Sequence, residues 1–212
     1  MSCMKKNKLF LVSLLVGFTC CNNHTEEKKA EPGIKKDSIV AESKKPEPET
    51  KRAPIINIMD TLSVKRTVLY MKDSAASAER IGLKLAELLG FKLAAVIKKN
   101  GIKTTGKPMA WYNSTKAPYF FEAGMPVDKK PAKQPANVYT REIGVDSVVV
   151  AHFYGPYELL PQAYEALSDW IKSHKKTMKG KPYEIYVDDP MDKDGKMKDP
   201  YKVQTDVVFP WK

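Results

Sequence analysis

The sequence of 212 residues predicts an α+β fold built from two tandem strand-helix-strand-strand units. Three observations lead there. GKPMAWYN at residues 106–113 and GKPYEIYV at 180–187 repeat one pattern, and the offset of 74 positions that aligns Pro108 with Pro182 also aligns Tyr112 with Tyr186, Leu93 with Leu167 and Ile97 with Ile171. Two segments carry apolar residues at helical spacing, and each follows one strand-like run and precedes two more. Tandem copies of this kind bury each other's apolar faces.

The elements follow in order. VKRTVLYM reads as a strand because of its valines and tyrosine. The next segment, IGLKLAELLGFKLAAVIKK, places Ile81, Leu85, Leu88 and Leu89 on one helical stripe, and the strand-like WYN and YFFEAGM complete the first unit. The second unit opens with SVVVAHFY and continues into LLPQAYEALSDWIKSH, where Leu160, Tyr164, Leu167 and Ile171 form the stripe. Pro161 suits the first turn of that helix. EIYV and YKVQTDVVF close the unit, with the loop DDPMDKDGKMKDP between them. That loop is not a calcium loop: with Gly195 in the sixth place it starts at Pro190 and ends at Tyr201, where an oxygen ligand and a glutamate are needed.

Composition narrows the function classes. Lys and Arg number 36 against 25 Asp and Glu, a formal net charge of +11. The lysines are scattered, no helix carries a basic stripe interleaved with aromatics, and no nucleic-acid partner is expected. The three cysteines are Cys3, Cys20 and Cys21, so the body of the chain has neither a disulfide nor a cysteine nucleophile. His24, His152 and His174 are too dispersed for a zinc site; no metal and no cofactor is expected.

The first residues, MSCMKKNKLFLVSLLVGFTCCNN, place lysines before an apolar run too short to span a bilayer. A cysteine directly after the run resembles a bacterial lipoprotein signal, which implies residues 1–21 as a signal with a lipidated Cys21 (or Cys20) and a membrane partner through that lipid. Residues 22–53, rich in Lys, Glu and Pro, read as a disordered tether. Residues 54–212 form the folded domain, with repeats at about 57–128 and 138–212. Such a layout places the protein in the cell envelope, periplasmic or at the outer membrane.

In GKPYEIYVDDP, strand alternation puts Tyr183, Ile185 and Val187 on one face and Glu184, Tyr186 and Asp188 on the other. The first face is expected to pack under the helices. The second raises the question of why a carboxylate sits beside an aromatic ring, and an exposed acid on a sheet is its simplest answer. VVVAHFYGPYELLPQAYEALSDWI, PYEIYVDDP, GKPMAWYN and YFFEAGMPVD together resemble the GyrI-like, or AraC-type effector-binding, domain over about residues 57–212.

The resemblance implies a pseudo-twofold antiparallel sheet with helices outside and a central cleft between the copies. It implies binding of lipophilic, often cationic, small molecules, with Glu184 at the position of the family's pocket glutamate. Pseudo-symmetry then sets Tyr112 opposite Tyr186 and makes Ala110 the counterpart of Glu184. Phe121, Tyr154 and Tyr157 are further candidate walls, while Trp111 is a candidate for either wall or core. The expected function is an exported, lipid-anchored binding protein for amphipathic molecules. The alternative is a hydrolase of strained or activated compounds with Glu184 as general base, since some relatives hydrolyse such substrates.

Overall fold

The computed structural model describes residues 52–114 and 116–212; the predicted signal and most of the predicted tether lie outside them. Among these residues eight strands form one sheet: β1 (Ile55–Leu62), β2 (Arg66–Ala75), β3 (Met109–Tyr112), β4 (Tyr119–Val127), β5 (Tyr139–Ile143), β6 (Ser147–Tyr154), β7 (Tyr183–Tyr186) and β8 (Gln204–Pro210). Their order is β1-β6-β8-β7-β3-β4-β2-β5, with every neighbouring pair antiparallel. The two units of the sequence pattern are both present. They meet where β3 pairs with β7, and Ala110 stands directly opposite Glu184.

Two strands were not anticipated. β1 and β5 are the edge strands, and neither pairs with the strand that follows it in sequence. β1 adds to β6 of the second repeat, and β5 adds to β2 of the first. Three residues join β1 to β2 and three join β5 to β6. A link of that length reaches roughly 14 Å, yet each joined pair stands six positions apart in the sheet order. In a flat sheet that separation is roughly 29 Å. The sheet is therefore curled, and the two links cross: Ser63 donates its N–H to the Asp146 carbonyl at 2.8 Å and its hydroxyl to the Gly144 carbonyl at 2.9 Å.

The helices lie on the outer face. On the first repeat the helical stretch runs as α1 (Glu79–Ala86), a π-helical segment (Glu87–Leu93) and α2 (Ala94–Lys99). Leu85, Leu88 and Leu93 are buried there beside Leu69, Phe121 and Ala123. On the second repeat α3 (Pro161–Ser173) buries Ala163, Leu167 and Ile171 against Val149, Ala151, Phe153, Val207 and Phe209. The concave inner face carries a separate cluster of Val68, Met109, Trp111, Val148, Val150, Tyr183 and Val208, with Ile185 against it.

This arrangement corrects the expectation for the penultimate strand. Tyr183 and Ile185 pack on the concave face, away from the helices, and the strand ends at Tyr186, before Val187. Glu184 and Tyr186 are the residues that look out under the helices.

Candidate functional site

Glu184 occupies the centre of the sheet, in the seam between the two helix-covered clusters. Its cross-strand neighbours are Ala110, in the cluster under α1, and Val207, in the cluster under α3. The residue is only 3% exposed. Tyr164, from α3, donates its hydroxyl to Oε1 at 2.9 Å, and Tyr186 donates to Oε2 at 3.0 Å. The Tyr186 hydroxyl also lies 3.0 Å from that of Tyr112, its equivalent in the other repeat. The counterpart of Glu184 being alanine leaves the space over which these two phenols meet.

The rings extend outward from the carboxylate. Tyr157 lies 6.4 Å from Tyr186 between ring centres and is half exposed, whereas Phe121 lies 6.1 Å from Tyr112 and is buried beneath it. Burial pushes the Glu184 carboxyl up to about 7, although the hydrogen bonds from Tyr164 and Tyr186 pull it back down. Burial first, and the Glu184 charge second, hold the phenols of Tyr112, Tyr164 and Tyr186 well above the ordinary tyrosine value, so these three stay protonated near neutrality.

Of the residues singled out in the sequence, Glu184, Tyr186, Tyr112, Phe121 and Tyr157 therefore come together. Trp111 and Tyr154 do not. Strand alternation puts both on the opposite face, where Trp111 packs in the inner cluster 5.6 Å from Tyr183, and Tyr154 donates to the Gln204 side chain at 2.7 Å. Tyr164 was missed as a site residue because its helical spacing marked it as core. The signal that could have found it was a phenol within an otherwise aliphatic stripe, since a buried hydroxyl needs a partner.

A second buried carboxylate sharpens the chemistry. Glu122, on the concave face, is ion-paired with Arg141 and lies 3.5 Å from Lys72. The Arg141 guanidinium is 4.6 Å from the centre of the Tyr70 ring and 4.4 Å from that of Trp111. Glu122 thus has a built-in cation held between two aromatic faces. Glu184 has hydroxyl partners and rings but, among the described residues, no ion-pair partner. Among those residues there is also no group of three or more metal-ligating side chains.

A family model described as the GyrI-like small molecule binding domain matches residues 92–212, more than half of the chain. No curated protein matches. Among solved structures, the EcmrR C-terminal domain aligns at 20% identity with a TM-score of 0.62, covering 74% of this chain and 98% of that one. EcmrR in a complex with DNA aligns equally well, but the chain spans only 57% of its length. A hydrolase from Listeria innocua aligns at 13% identity with a TM-score of 0.52, over 76% of this chain and 93% of that one. At these identities the likenesses establish the fold.

Proposed function

The chain belongs to the GyrI-like small molecule binding domain family, and on that premise we propose that it captures amphipathic, cationic small molecules at Glu184. The observation that carries this reading is a buried carboxylate that has no cation of its own among the described residues. A charge held away from water is disfavoured until an opposite charge arrives. A flat organic cation supplies that charge, and the faces of Tyr157 and Tyr186 attract it as well. Arg141 between Tyr70 and Trp111, beside Glu122, illustrates in the same molecule how such a set is satisfied. Tyr157, the most exposed of the rings, marks the entrance, and Tyr112 and Tyr186 part to admit the ligand.

N-methylacridinium and its neutral analogue 9-methylanthracene make the test. The full chain is expected to prefer the cation, and Glu184→Gln to weaken the cation by at least tenfold while leaving the neutral analogue within twofold; loss of one partner of a buried charge pair costs ~2–5 kcal/mol. Equal affinity of wild type and variant for the cation counts against the reading.

The wider setting belongs to the same proposal: export, and anchoring to an envelope membrane through Cys21 (or Cys20) and a tether. The layout of residues 1–53 supports it. Membrane partition lost on replacing both cysteines would be its signature.

One observation favours a second reading. A carboxyl near 7 is poised to act as a general base, and a structural neighbour bears the name hydrolase. Glu184 would then activate water against a strained or activated compound. Product beyond one equivalent per chain, lost in Glu184→Gln, separates turnover from capture.

A further inference from the structure

The concave face holds a cavity of about 150 Å³, separated from Glu184 by the sheet itself. Its walls are apolar: Leu62, Met109, Ile143, Val148, Val150, Ile185 and Val208 line it. Its ends are not. His152 and Asp206 stand at one end, and Ser63, Arg66 and Tyr183 at the other.

The His152 end is an ordered polar row. Tyr154 donates to Gln204 Oε1 at 2.7 Å, Gln204 Nε2 donates to Asp206 Oδ1 at 2.8 Å, and His152 Nδ1 lies 2.7 Å from the same oxygen. A carboxylate only accepts, so Nδ1 carries the hydrogen and in the neutral ring Nε2 is left as an acceptor. Among the described residues Nε2 has no hydrogen-bond partner.

At the other end stands a cation without an acid. Arg66 makes one long contact, to the Thr105 carbonyl at 3.4 Å, and no ion pair among the described residues. Gly106 leaves room for its guanidinium, since a Cβ there would stand 2.5 Å from Nη1. Asp146, whose charge acts on Tyr183 as that of Arg66 does, is engaged by Lys179. Burial raises the Tyr183 phenol, the charge of Arg66 lowers it, and the charge of Asp146 raises it.

The geometry points to a second binding site here, for a single-ring aromatic acid that carries a hydroxyl opposite its carboxylate: the carboxylate at Arg66, the hydroxyl donating to His152 Nε2. The size agrees. A cavity of this volume admits one benzene-sized ring.

Equilibrium dialysis of the full chain against 4-hydroxybenzoate tests the assignment. Saturable binding of one equivalent is expected. With wild-type protein, 4-hydroxybenzamide, which removes the charge, and 4-methoxybenzoate, which cannot donate, should each bind about tenfold more weakly. Arg66→Met should weaken 4-hydroxybenzoate similarly, and Glu184→Gln should change it by less than twofold, which separates this site from the one across the sheet. No saturable binding, or three compounds of equal affinity, or a loss caused by Glu184→Gln, would overturn it. The comparison of compounds requires no variant to fold.

Discussion

At Glu184 the protonation state and the proposed binding role are the same question. Its folded value of about 7 stands above the ordinary 4.5, so between those two values the folded chain holds a proton that the unfolded chain has lost. Stability from this group is complete below about pH 4.5 and is lost as pH rises through 7, a decline on the order of 3 kcal/mol. Urea denaturation of wild type and Glu184→Gln from pH 5 to pH 8 should show the wild type falling relative to the variant. Cation affinity at the proposed site should have the opposite slope. There the carboxylate is the form that would bind, so affinity should rise about tenfold per unit up to pH 7 and then level off. A flat profile across that range would mean that the cation is held elsewhere.

Within elements, glycine shows how one substitution changes sign with its surroundings. Gly82 lies inside α1, and a Cβ there would meet nothing within 4 Å. Gly82→Ala should stabilise the protein by roughly 0.5–1 kcal/mol through helix propensity alone. Gly124 lies in β4 between Tyr70 and Met109, and a Cβ there would stand 2.7 Å from the Leu69 carbonyl oxygen and 2.8 Å from a Val68 methyl. Backbone cannot yield as a flexible side chain can, so Gly124→Ala should cost about 1–3 kcal/mol. Thermal melts of the two variants should move in opposite directions. The helices also explain why the aromatics around Glu184 were hard to sort by sequence. Tyr164 occupies the same stripe as Leu160, Leu167 and Ile171, and only the approach of β7 distinguishes its hydroxyl from a core ring.

At the scale of the whole molecule, the exchange of edge strands makes the two repeats mutually dependent. β6 is covered by β1 of the first repeat, and β2 is covered by β5 of the second. Residues 54–137 and 138–212 made as separate chains should each be unfolded by circular dichroism, because each would leave a long strand edge bare. Mixed together, they should regain the spectrum of the intact domain. A cooperative melt from either half alone would contradict that dependence. The curl imposed by the exchange also makes the two faces different environments, with helices outside and, among the described residues, none within.

Much of this protein was legible in its residues. Helical spacing located both helical stretches, the repeat of 74 positions exposed the duplication, and alternation in EIY put Glu184 and Tyr186 on a common face, because these patterns depend on local geometry alone. β1 and β5 were not legible: β1 is almost wholly exposed and so lacks a clean alternation, and β5 is five residues long. The direction of each face depended on how the sheet curls, a consequence of which distant strands pair. Alternation already separates Trp111 from Tyr112, but only the pairing of β6 with β8 and of β8 with β7 put Tyr154 on the far side from Glu184, and only the packing of α3 brought Tyr164 beside it. Local periodicity can determine which side chains share a face; only long-range pairing decides what that face meets.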